Sequence, residues 1–255
     1  MRRTVGVVVL SVMALVPGRS SAGEGAGKPK ALNLAACPAW GAENKGSSRA
    51  TLNEVKHRLP SGTTPVVLEF GDLPAMQEQA DARVKSGTTA KVSAKDRASK
   101  LHDLTIGTRH IGEGDLVAIV GFIVGRASAN AGESANCYLK GASNNDFEFS
   151  IVPAAKATAY EGIVGEMIPQ DRPKDWTLGR LHKLSADGRQ VLVAGQLMFD
   201  TRHLPNPKKG TNHESPRVST WEIHPVTKFL VCKSGTGCDP GHEDQWQPLE
   251  SISER

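Results

Sequence analysis

Aromatic residues make up only 5% of this chain, and single-stranded nucleic acid is held largely by stacked aromatics along a basic groove. No Gly-x-Ser-x-Gly turn occurs, which removes the usual exposed serine nucleophile of a strand-to-helix elbow. The glycines match neither a Walker loop nor a dinucleotide fingerprint. Cysteine pairs of the Cys-x-x-Cys type are also missing, so zinc patterns built on them are excluded. The longest uncharged apolar run, Val5–Val16, is twelve residues, short of the about twenty a membrane-crossing helix needs.

That run has a different meaning. Arg2 and Arg3 precede it and the small residues Ser20-Ser21-Ala22 follow, the layout of a secretory signal spanning residues 1–22. Cleavage there removes three arginines and no acid, so the net charge falls from +4 to +1. A phosphate-binding protein normally carries a basic excess, and nucleic acid is disfavoured as a partner. The expected location is periplasmic or extracellular, with no transmembrane segment after processing.

All four cysteines, Cys37, Cys137, Cys232 and Cys238, lie beyond the signal. An even number in an exported chain suits disulfides. Cys232 and Cys238 can close a short Gly-rich loop, which leaves Cys37 with Cys137. Leu34-Ala35-Ala36-Cys37 resembles a lipid-acylation box, but it lies past the polar segment Gly23–Lys30 rather than at the end of the apolar run.

Residues 23–36 are small and polar and read as a flexible lead-in. Residues 37–111 read as a helical or irregular N-terminal segment, with one helix over Ser47–His57 and a loose, Lys-, Ser- and Gly-rich connection over Ala80–Ile111. From Gly112 the texture changes. Asp115–Arg126 is a long β-branched strand interrupted by Gly121 and Gly125, residues that mark bulges or sharp coiling. Strands are expected at Glu133–Lys140, Asp146–Val152 and Gly162–Ile168. Leu178, Leu181 and Leu184 give the helical spacing of Asp175–Leu184, and strands Gln190–Asp200 and Arg217–Cys232 follow.

This order, strands then one helix then two strands, predicts a mainly β fold with some α. The architecture is an OB-like Greek-key barrel over residues 112–232, with an open antiparallel sheet on helices as the rival. The tail, residues 233–255, is acidic and is expected to be poorly ordered apart from a disulfide.

Alternation along Arg217–Thr227 puts Glu222 and His224 on one face. Asp200 and His203 come from the adjacent strand or the loop after it. Two imidazoles with carboxylates can bind a divalent metal and activate water, but the pattern has neither His-Glu-x-x-His nor a tight His-x-His. Its plain reading is a turn cap, a solvated loop histidine and a strand exit. Asp146 and Glu148 share a strand face as well, and a carboxylate pair can cleave glycosides only when the two groups face each other across the bond. Asp146, Glu148, Asp200, His203, Arg217, Glu222 and His224 are therefore the ligand-binding candidates. Asp200, His203, Glu222 and His224 are the metal candidates. No cofactor is predicted otherwise.

The segments Cys37-Pro38, Leu52-Asn53, Lys56-His57-Arg58, Asp146 with Ile151-Val152, Gly195–Asp200 with His203, and Trp221–Thr227 resemble a family of uncharacterised bacterial proteins. Its members share a Cys-Pro start and a Trp-Glu-Ile/Val-His-Pro-Val-Thr end. The resemblance spans Cys37 to Cys232, is patchy between Ala82 and Ile111, and implies no established activity. Family members show Asp-x-His where this chain has Asp146-Phe147-Glu148, so a role needing an imidazole there does not carry over.

The reading that follows is an exported, non-enzymatic OB-like binding module for an envelope oligosaccharide, an ion or a protein partner. The alternatives are a metal-dependent hydrolase using Asp200, His203, Glu222 and His224, and a structural envelope protein without a ligand.

Overall fold

The computed structural model describes residues 31–85, 91–205 and 216–254. The signal expected at residues 1–22, and the lead-in up to residue 30, lie outside them.

The elements in chain order are α1 (Ser48–Lys56), β1 (Ser61–Leu68), α2 (Asp72–Arg83), α3 (Ala94–Lys100), β2 (Leu104–Ile106), β3 (Arg109–Ile111), β4 (Asp115–Ala129), β5 (Phe147–Val152), β6 (Ile163–Met167), α4 (Leu178–Asp187), β7 (Gln190–Phe199), β8 (Trp221–Cys232) and β9 (Trp246–Pro248). The sheet runs β1-β4-β5-β6-β8-β7, and β7 pairs back onto β4. Five strands, β4, β5, β6, β8 and β7, therefore close into a mixed barrel. The β6–β8 pairing is parallel and the other four are antiparallel. This is the OB-like order, with α4 between the third and fourth barrel strands.

Closure depends on β4 serving two neighbours. Leu116–Phe122 pairs with β7, whereas Phe122–Ala129 pairs with β5 through a bulge between Val124 and Ser128. Gly125 sits in that bulge with φ +70°, and a Cβ on Gly121 would lie 2.6 Å from the Val152 carbonyl oxygen. Both positions require glycine, as coiling of a small barrel demands.

Phe149, Ile151, Ile163, Leu197, Phe199, Trp221 and Ile223 fill the interior. Helix α4 starts where the Thr177 hydroxyl accepts from the Arg180 amide at 3.2 Å, and it ends at Gly188 in the left-handed conformation. Leu181 and Leu184 carry its buried face into the same core.

Three expectations need correction. The stretch Ala80–Ile111 is not a loose connection. It contains α3 and the β2–β3 hairpin, and its apolar residues Val84, Val92, Leu101, Leu104 and Ile111 join the main core. Elements of seven, three and three residues are too short to show periodicity. Glu133–Lys140 is no strand: Cys137 and Tyr138 have φ of 53° and 58°, which a ladder cannot accommodate. The tail is ordered. β9 pairs with β8, Trp246 is buried, and Leu249 and Ile252 enter the main core.

The N-terminal segment is part of the same body, since β1 extends the sheet parallel to β4. Disulfides join Cys37 to Cys137 and Cys232 to Cys238, bonds typical of a protein folded outside the cytoplasm. With its sulfur so engaged, Cys37 is not open to acylation. Among the described residues, no helix is long and apolar enough to cross a membrane.

Candidate functional site

Alternation along a barrel strand sends every second side chain outward. On β5, β6, β7 and β8 those outward residues include Glu148, Glu166, Gln196, Met198, Glu222 and His224. Such positions normally meet water. Here the α1 helix lies over them: Leu52 and Val55 pack on Met198, and the Gln196 side-chain amide donates to the Val55 carbonyl at 2.8 Å. The loop between β4 and β5 closes another side. It is tied to the N-terminal segment by the Cys37–Cys137 bond and by the Asn53 amide, which donates to the Trp40 carbonyl at 3.0 Å and the Ser134 hydroxyl at 3.2 Å.

The result is a layer of charge between the barrel wall and its cover. Asp146, Glu166, Asp200, Arg217, Glu222 and His224 are each at most 1% exposed. Lys56, at the end of α1, reaches both Glu133 oxygens at 3.2 Å and comes within 4.0 Å of Glu166. Arg217 donates to Glu222 at 2.9 Å. His224 stands among three carboxylates: its Nδ1 is 3.3 Å from both Glu222 Oε1 and Glu166 Oε2, and its Nε2 is 3.5 Å from Asp146 Oδ2.

Burial penalises each of these charges, and their neighbours decide the outcome. Burial lowers the Lys56 ammonium, but Glu133, Glu166, Asp200 and Glu222 together raise it well above its ordinary value. Arg217 is likewise raised by Glu222, Asp200 and Glu148 against burial. For His224, burial is outweighed by Glu166, the Glu222 hydrogen bond and Asp146, and the imidazole rises to about 9. Carboxylates outnumber cations, so protons collect on some of them. Burial and Glu166 raise Asp146 to about 7, partly opposed by His224, and burial with Glu166 and Glu222 raises Glu148 to about 7.

Beside this layer opens a cleft of about 210 Å³, lined by Arg49, Asn53, Lys56, Glu133, Tyr138, Asp200, Arg202 and His203. It lies between α1, the β4–β5 loop and the start of the β7–β8 connection. Asp200 accepts from the Arg202 amide at 2.8 Å and makes a short contact with His203 Nδ1. Burial would raise Asp200, but His203, Lys56 and Arg217 hold it well below the usual carboxylate range. The bond to Asp200 in turn raises His203, against burial.

All seven sequence candidates thus belong to one face, but they divide. Asp200 and His203 form a pair at the cleft, whereas Glu222 and His224 are sealed with Asp146 and Arg217, and Glu148 is half-buried beside Glu166 in the strand register. Among the described residues, the one group of three or more His, Cys, Asp or Glu with ligand atoms all within 4.8 Å of one another is Asp146, Glu166 and His224. The four expected metal ligands do not converge on one point.

Two members escaped sequence reasoning. Glu166 interrupts the apolar strand Ile163–Met167, and a lone acid in such a strand is a readable signal. Lys56 lies at helical spacing from Leu52 and Asn53, but nothing local tells a covered lysine from a solvated one. Comparison of the chain with models of protein families, with curated proteins and with solved structures finds no match.

Proposed function

We propose that this is an exported OB-like binding module, without catalytic chemistry of its own, that holds a short envelope oligosaccharide in the cleft beside Asp200 and His203. The observation that carries the reading is Tyr138. Among the described residues it is one of the few large apolar side chains left exposed, at 43%, and it lines the cleft in a left-handed backbone conformation next to the disulfide of Cys137. Left-handed backbone costs a residue with a Cβ roughly 1–2 kcal/mol, and such strain collects at binding sites. An aromatic face beside the planar polar groups of Asn53, Arg49 and His203 offers stacking and directional hydrogen bonds together. That combination suits a polyhydroxylated ring. OB barrels bind such ligands between these same loops, which supports the reading by analogy of fold only. The expected net charge of +1 after signal cleavage gives no electrostatic pull toward nucleic acid.

Metal-dependent hydrolysis is the second reading, favoured by the half-exposed His203 paired with Asp200 in the cleft. Against it, Glu222 and His224 have no exposed surface, so no substrate reaches them.

Calorimetric titration of the mature chain with glycan fragments of the cell envelope tests the proposal. Tyr138→Gly is expected to bind about tenfold more weakly, on the order of 1.4 kcal/mol, while resisting urea as well as the parent or better because glycine accepts positive φ. No binding by the parent chain, or equal binding by the variant, would overturn it. Ester or glycoside turnover lost in His203→Ala would favour hydrolysis instead.

A further inference from the structure

We infer that Asp146, Glu166 and His224 form a closed binding site for one divalent transition-metal ion, with Glu222 orienting the imidazole. This site is separate from the cleft and does not rest on the ligand proposed there.

Three polar atoms carry the inference. Asp146 Oδ2, Glu166 Oε2 and His224 Nε2 belong to side chains at most 1% exposed, and none makes a hydrogen bond; their nearest opposite charges are one another, through the His224 ring at 3.3–3.5 Å. Buried polar groups are nearly always satisfied, and an exception calls for an explanation such as an ion. These three come from three different stretches of the barrel wall, the start of β5, β6 and β8, yet they share one small volume. A histidine nitrogen and a carboxylate oxygen bound to one tetrahedral ion are roughly 3.4 Å apart, given ligand distances near 2.1 Å. His224 Nε2 and Asp146 Oδ2 are 3.5 Å apart.

The surroundings of the imidazole fit as well. Metal-ligating histidines usually donate their other ring N–H to a carboxylate, which fixes the tautomer. His224 Nδ1 lies 3.3 Å from both Glu222 Oε1 and Glu166 Oε2, and the other Glu222 oxygen is held by Arg217 at 2.9 Å. With Nδ1 so engaged, Nε2 is the nitrogen an ion would take, in place of the proton that the raised imidazole carries there. On the far side, the second Asp146 oxygen accepts from Asn136 at 2.8 Å, and Asn136 accepts from Gln170 at 3.1 Å. Both outer ligands are therefore aimed by side chains that do not themselves ligate.

One nitrogen and two oxygens are a borderline donor set. It suits Zn²⁺, with Mn²⁺ next, better than Ca²⁺, which takes six to eight oxygens. The three ligands have no access to solvent, so the ion would tie β5, β6 and β8 together beneath α1 rather than activate water.

The test uses the full mature chain, stripped with chelator under mild denaturation and refolded with Zn²⁺, Mn²⁺ or Ca²⁺. The expected result is one Zn²⁺ per chain and a melting temperature raised by Zn²⁺ but not by Ca²⁺. X-ray absorption of the loaded protein should show one imidazole and carboxylate oxygens. Glu166→Gln keeps the shape of the side chain and should weaken Zn²⁺ binding by about 100-fold, whereas His203→Gln should bind as the parent does. No uptake by the parent chain, stabilisation by Ca²⁺ alone, or loss of Zn²⁺ in His203→Gln would each overturn the site. If Glu166→Gln fails to fold, the absorption spectrum of the parent decides by itself, an all-oxygen shell counting against the assignment.

Discussion

At the scale of single residues, the pair Asp200–His203 gives this protein a definite pH response. His203 has its pKa raised above 6.5 by Asp200. A raised histidine stabilises the fold fully below its unfolded pKa, and that contribution disappears as pH rises through the folded value. Asp200 moves the other way, from 3.8 downward, so its share is present above pH 3.8 and is lost only in strong acid. Both contributions are therefore whole between pH 3.8 and 6.5. In urea unfolding, the parent chain should exceed His203→Gln most within that window, and the difference should vanish in alkali. The His203 ring is 42% exposed, so solvent screening keeps the effect modest. An NMR titration placing His203 below 6.5 would contradict the assignment.

At the scale of elements, the α1 helix is the part on which the charged layer depends. Its apolar grip on the barrel is small, Leu52 and Val55 against Met198, and beside the Gln196 bond to the Val55 carbonyl, Lys56 adds contacts with Glu133 and Glu166. Removing one partner of a buried ion pair costs about 3–5 kcal/mol, because the other charge is left uncompensated. Lys56→Met should lose that much in urea unfolding and should speed amide exchange in α1 before the barrel strands. A neutral result would mean that protons on Asp146 and Glu148 absorb the imbalance.

These elements also mark the limit of what the chain reveals locally. The strands around the barrel were legible because each carries period-2 alternation or a long β-branched run, as in Gln190–Phe199 and Trp221–Cys232. Glu133–Lys140 misled for the same reason, since its apolar residues alternate although its backbone turns left-handed at Cys137 and Tyr138. Glu222 and His224 were legible as a same-face pair, while Glu166 and Lys56 join them only through pairing of β6 with β8 and docking of α1.

At the scale of the molecule, the two disulfides divide the work unequally. Cys37–Cys137 closes 100 residues and fastens the cover to the barrel, whereas Cys232–Cys238 closes 6. In the chain-entropy account, a loop of the first size contributes roughly 4–5 kcal/mol and one of the second about 2. The double variant Cys37→Ser with Cys137→Ser should therefore lower the melting temperature more than Cys232→Ser with Cys238→Ser. Calorimetry showing the reverse order would imply that the tail and β9, not the cover, hold the barrel closed.

By itself the chain determined the barrel strands, the glycine-coiled β4, the capped helix α4 and the order that makes them OB-like, because these follow from periodicity and backbone chemistry within a few residues. It also made evident that four cysteines favour two bonds. Only the tertiary structure decided that the outward face of the barrel is covered, that a lysine and an arginine are sealed in with more carboxylates than they can neutralise, and that the tail completes the core. Burial and charge balance depend on groups far apart in sequence, and no local pattern encodes which helix comes to lie over which strands.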